Sequence, residues 1–203
     1  MELSITTLLY LFFRLSPFII VSYFAVSSIF NQDIKGLIYL AGLLISSFIV
    51  ILLSNLFNSS FSNANMNPNQ LCNLITIGGA GSLSKIPLGN SMLCYTFAYL
   101  TYVIVYYHIE LYNLPTLILF PVLILSDIIW NLKNSCYPIQ SILAAIIIGG
   151  GVGVGWANTI QSIGKPDLFY LNVGSDQSVC RRPSKQLFKC TYKNTPKKTS
   201  DGS

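Results

Sequence analysis

The feature that most constrains this chain is a series of apolar runs, each about as long as a bilayer crossing. A hydrocarbon core about 30 Å thick needs about 20 residues of helix. Five segments qualify: roughly Leu8 to Phe30, Leu37 to Phe57, Ser91 to Tyr107, Leu114 to Trp130 and Ile139 to Ala157. Inside a bilayer no water satisfies backbone N–H and C=O groups, so such segments fold as helices. Only 9% of the 203 residues are charged, against about 25% in an ordinary soluble domain. The expected fold class is therefore all-α: a multi-pass transmembrane helical bundle of about five spans with a basic extramembrane C-terminal tail. The bundle is expected over residues 1–160 and the tail over 161–203. The start of the chain lacks the basic flank and small-residue cleavage site of a removable signal peptide, so the first run reads as permanent.

Charge then orients the bundle. Eight of the twelve Lys and Arg follow Gly164: Lys165, Arg181, Arg182, Lys185, Lys189, Lys193, Lys197 and Lys198. With five spans, Lys85 and Lys133 share one side, and Lys35 joins the tail on the other. Cytoplasmic segments carry the Lys and Arg excess. Two against nine predicts a cytoplasmic tail, with the Asn/Ser-rich loop at 58–84 outside or in a lumen. A second reading lays the first segment in the interface as a broken helix. That flips the N-terminus and leaves the other loops in place.

Within the helices, three patterns stand out. Ser141, Ala145, Gly149, Gly153 and Ala157 recur every four residues, with Gly151 and Gly155 on a neighbouring face. Small residues at that spacing let helix backbones approach closely, and packing inside the chain's own bundle is the expected use. Tyr95, Tyr99, Tyr102 and Tyr106 form a stripe, expected to pack internally with hydroxyls bonded to nearby backbone. Arg14 sits inside the first run, about 16 Å along a helix begun near Leu3. A charge there needs a partner or a route to the headgroups. Either it pairs with Asp127, the acid at a matching depth, or it snorkels beside Pro17.

No two of the five cysteines form a CxxC pair, and His108 is the only histidine. Neither a metal centre nor a cofactor is expected. Cys180 and Cys190 enclose nine residues and can close a small loop in an oxidising compartment. That conflicts with a cytoplasmic tail. Cys72 and Cys136 share the opposite face and can pair without such conflict.

The stretch Lys85-Ile-Pro-Leu-Gly-Asn-Ser-Met opens the third helix, and Cys136-Tyr-Pro-Ile-Gln opens the fifth. The first resembles the second signature of the type 2 phosphatidate phosphatase superfamily, Pro-Ser-Gly-His before a helix. The second resembles the His-Thr-x-x-Gln variant found in some polyprenyl diphosphatases. The resemblance covers roughly residues 60–160. It implies a lipid-phosphatase-type helical bundle, one helix short of the usual six, with its site where those loops meet the membrane surface. It also implies degeneracy. Gly89 persists, but Leu88 stands for the serine, Asn90 for the acid histidine, Cys136 for the nucleophilic histidine, Gln140 for its orienting partner and Trp130 for an arginine. The first signature would fall in the 58–84 loop, where only Asn67-Pro68 is found. An amide cannot deliver a proton.

The expected function is thus that of a non-catalytic, lipid-phosphatase-like membrane component of a larger assembly. A minor capsid protein of a virus with an internal membrane and an accessory subunit of an organellar complex both fit. The expected partners are the bilayer and proteins docked through Arg181, Arg182, Lys185, Leu187 and Phe188. Nucleic acid is not expected, since no fold that tracks bases or backbone is visible. Two alternatives remain open. One is a divergent phosphatase that attacks with Cys136. The other is a pseudoenzyme whose Lys85, Asn90 and Lys133 hold a lipid headgroup.

Overall fold

A computed structural model describes residues 5–31, 34–56, 72, 84–164 and 168–170, and within 5–14 only Phe12 has a described side chain. Among them every regular element is a helix. The helices are α1 (Ile5–Asn31), α2 (Lys35–Leu56), α3 (Leu88–Tyr106), α4 (Leu114–Lys133) and α5 (Ile139–Ser162), with a 3-10 turn at Glu110–Asn113 before α4. Four of them are long and apolar enough to cross a membrane: α2, α3, α4 with its leading turn, and α5. The part of α1 with described side chains, Leu15–Phe30, is apolar but shorter.

Proline sets where helices begin. Pro87 and Pro138 hold extended backbone immediately before α3 and α5, and Pro115 lies in the first turn of α4. A proline at a helix start forfeits an N–H that has no intrahelical partner anyway. Pro17 and Pro121 lie inside α1 and α4. Spanning helices tolerate this because neighbouring groups re-satisfy the freed carbonyl.

Helix α3 is the axis. It packs against each of the other four, most extensively against α5. On α5 the stripe Ser141, Ala145, Gly149, Gly153 and Ala157 is buried. A side chain at Gly149 would strike the Ser91 backbone, and one at Gly153 would lie 2.5 Å from the Tyr95 carbonyl. Advancing four residues on α5 thus advances four on α3, so the two helices run parallel in close backbone contact. The second face differs: a Cβ at Gly150, Gly151 or Gly155 would meet nothing within 4 Å.

The core on the 3-10 side is aromatic: Phe24, Tyr39, Tyr95, Tyr99 and Phe169 join Leu100, Val103 and Ile104. The Tyr95 hydroxyl donates to Tyr39 O at 3.1 Å, and Trp156 Nε1 donates to Ile38 O at 3.0 Å. Thr96 Oγ1 donates to Met92 O at 2.7 Å, which leaves Tyr39 to donate to Thr96 across 2.6 Å. The tyrosine stripe therefore divides. Tyr95 and Tyr99 are fully buried, whereas Tyr102 reaches Asn158 and Tyr106 is 51% exposed. Tyr106 lies in the last turn of α3, beyond the contacts that enclose Tyr95 and Tyr99. The outward faces of α2 and α4 are apolar, with Leu44, Phe48, Ile118 and Ile129 all exposed, as lipid-facing helices require.

Candidate functional site

Both signature-like segments lie at one end of the bundle, where α2 and α4 finish and α3 and α5 begin. The Lys85 backbone N–H donates to Ser54 Oγ of α2 at 2.8 Å. Ile86 packs with Val50 of α2 and Ala145 of α5. A Cβ at Gly89 would sit 3.4 Å from Pro17 Cγ, which puts α1 beside the same entrance. Cys136 closes the α4–α5 corner, its N–H donating to Asn131 O at 2.9 Å. Ser135, just before it, takes a left-handed φ of 52°.

The corner is covalently tied. Cys136 is disulfide-bonded to Cys72, 64 residues away in sequence. Its sulfur is therefore neither a thiol nor a thiolate. Gln140, the position corresponding to an orienting partner, is exposed on the first turn of α5. Trp130 is half-buried on α4, and Leu88 and Gly89 are half-buried on α3.

Asn90 points inward. It is fully buried, and its Oδ1 accepts from Cys94 Sγ at 3.6 Å. On the first turn of α3 it occupies the packed side, not the lipid side, which counts against the alternative in which Asn90 holds a headgroup. Lys85 is half-buried and Lys133 exposed at this end. On α4, which packs against α3, two further polar groups are buried. Asp127 is 7% exposed and Asn131 is 1% exposed. Asn131 Nδ2 donates to both Asp127 Oδ2 at 3.0 Å and Asp127 O at 2.8 Å. Helix α1, which carries Arg14, packs on both α3 and α4. The Arg14 side chain lies outside the described residues, as do Arg181, Arg182, Lys185, Leu187, Phe188 and the Cys180–Cys190 pairing.

The sequence reading did not assign Asn131 or Cys94 to this cluster. The spacing of Asp127 to Asn131, one helical turn, was the available signal. Chemically, the cluster can hold polar groups together in a low-dielectric interior. It cannot shuttle a proton through an imidazole. His108 is 87% exposed by side chain and stands after the far end of α3, about 27 Å along the helix from Asn90 at 1.5 Å per residue. Among the described residues no group of His, Cys, Asp and Glu is arranged to hold a metal. No protein-family model, curated protein or solved structure matches the chain.

Proposed function

We propose that this chain is a non-catalytic integral membrane protein, a structural and anchoring component of a larger membrane-associated assembly. The bundle crosses the bilayer five times, α1 included. The basic tail docks onto neighbouring proteins. The observation that carries the reading is the Cys72–Cys136 bond. Attack on phosphorus needs a free thiolate in an electropositive pocket, and the sulfur best placed to supply one is taken. Asn90 has no proton to give at neutral pH. What remains at that end fastens the fold: a disulfide from Cys72 to the α4–α5 corner, a hydrogen bond from the α3 entrance to α2, and buried polar hydrogen bonds within α3 and within α4.

The bond also bears on sidedness. Disulfides persist in oxidising compartments, which favours an exoplasmic or luminal position for this end. The Lys and Arg asymmetry favours the same assignment by a separate route, with the tail on the cytoplasmic side. A virus with an internal membrane and an organellar membrane complex both offer assemblies of this kind.

The test is the native mass after gentle extraction from the source membrane. Co-migration with a large particle, lost when residues 171–203 are removed, is the expected result. A small detergent-bound species that releases phosphate from lipid phosphates or prenyl diphosphates, and stops doing so in Cys136→Ser, overturns the reading.

A further inference from the structure

The chain does not leave the bundle where α5 ends. Gly164 takes a left-handed φ of 72°, a conformation that suits glycine and turns the chain. Beyond it, Leu168, Phe169 and Tyr170 return to the helices. Phe169 is fully buried, its ring 6.4 Å from that of Tyr99 and 5.9 Å from that of Tyr107. Tyr170 stands edge-on to Phe24 of α1, with ring centroids 4.3 Å apart. Phe24 in turn lies 4.5 Å from Tyr39 of α2.

Membrane crossing does not call for this arrangement. The fifth span is already complete at Ser162, and an aromatic ring just outside a span is at home in the lipid interface. Instead the ring sits in a seat lined by α3 and the turn after it. Edge-to-face aromatic contacts fix geometry as well as burying area. The seat lies at the mouth of the basic tail, whose first arginine pair, Arg181 and Arg182, follows eleven residues after Tyr170.

We infer that residues 168–170 are a strap that couples the tail to the bundle. A partner holding the tail then holds α1 and α3 through Tyr170 and Phe169, rather than only the end of α5. This rests on the reading that the tail docks onto protein. Phe169 is a positioning residue here: it contacts no partner itself.

Two readouts test the strap on the full-length protein, the first extracted and free of partners, the second in the source assembly. Chymotrypsin cleaves after exposed aromatic residues, and its rate tracks the population of the opened form. Cleavage after Tyr170 is expected to be far slower than cleavage after Phe188 or Tyr192. Phe169→Ala removes a large buried ring and is expected to speed cleavage after Tyr170 on the order of 100-fold. Phe169→Leu, which keeps apolar volume, restores most of the protection. The Cys72–Cys136 bond in Phe169→Ala, seen on a non-reducing gel, shows that the bundle still folds. In the second readout, Phe169→Ala is expected to weaken co-migration with the particle, as removal of residues 171–203 does. Tyr170 cut as fast as Phe188 in the unaltered protein overturns the strap. Phe169→Ala that opens the strap yet keeps the particle association, while truncation abolishes it, overturns the coupling and leaves tail docking standing. Association that survives truncation overturns tail docking, and the coupling falls with it.

Discussion

The α3–α5 contact yields a prediction in which one substitution, made at two sites on one helix, has unequal effects. At Gly153 an added Cβ would lie 2.5 Å from Tyr95 O, 3.1 Å from Ala98 Cβ and 3.2 Å from Tyr99 N. Two of those atoms are backbone, so no side-chain rotation relieves the clash. The helices must separate by several tenths of an ångström. A gap of about 0.5–1 Å already forfeits a quarter to a half of each contact along the seam, and overpacking of this kind costs about 1–3 kcal/mol. Gly151→Ala, two residues earlier, meets nothing within 4 Å. Both substitutions gain the same helix propensity, about 1 kcal/mol in water, so that gain cancels in the difference. Gly153→Ala is therefore expected to be about 1–3 kcal/mol less stable than Gly151→Ala, and Gly151→Ala at least as stable as the parent. Unfolding by SDS in mixed micelles, followed through the fluorescence of Trp156 at the α2–α5 contact, measures both. Equal midpoints for the two variants would refute the seam, because the two glycines would then share one environment.

Three further outcomes follow from named contacts. Cys72→Ser, Cys136→Ser and the double variant should lose the same stability, since each removes one bond. The chain-entropy estimate for a loop of this length is about 4 kcal/mol, and it is an upper bound because α3 and α4, which lie within the loop, stay helical and membrane-inserted when packing is lost; additive losses would show that the two cysteines act separately. Asp127→Asn keeps the shape that Asn131 bonds but removes the charge. If Asp127 is the counter-charge of Arg14, the loss is about 3–5 kcal/mol, and a variant that folds in undiminished yield in a refolding assay rules the pair out. Tyr39→Phe removes the donor to Thr96 and should cost about 0.6–1.5 kcal/mol in the same SDS titration, with Tyr95 still bonded to the Tyr39 carbonyl.

Much of the architecture was legible because bilayer physics is coarse. Each of the five apolar runs is a helix, and by the described residues four of these are long and apolar enough to cross a membrane. The boundaries moved for identifiable reasons. Helix α5 continues from Ala157 to Ser162 and α4 from Trp130 to Lys133, because backbone hydrogen bonding propagates into polar residues where hydropathy stops. Helix α3 starts at Leu88, not Ser91, because Pro87 fixes the entry and the polar Asn90 is buried inside the first turn. The buried face of α5 was legible too, from small residues every four positions. Which helix that face meets was not: the stripe of small residues does not name α3 as the partner of Gly149 and Gly153.

The site was harder to read, and the reason is general. A motif records residue types at spacings, whereas chemistry depends on which atoms are free. Cys136 at the start of α5 reads equally well as a nucleophile or as half of a disulfide, and only the approach of Cys72 decides between them. Asn90 reads as a headgroup ligand until its rotation about α3 is known. Phe169 gave no signal, because the four apolar residues Leu168 to Leu171 between polar stretches are too few to show a period. Its burial arises from a seat that α3 and its following turn assemble from residues more than sixty positions earlier in the chain. A disulfide, a glycine seam and an aromatic strap each join elements that insertion alone would leave independent.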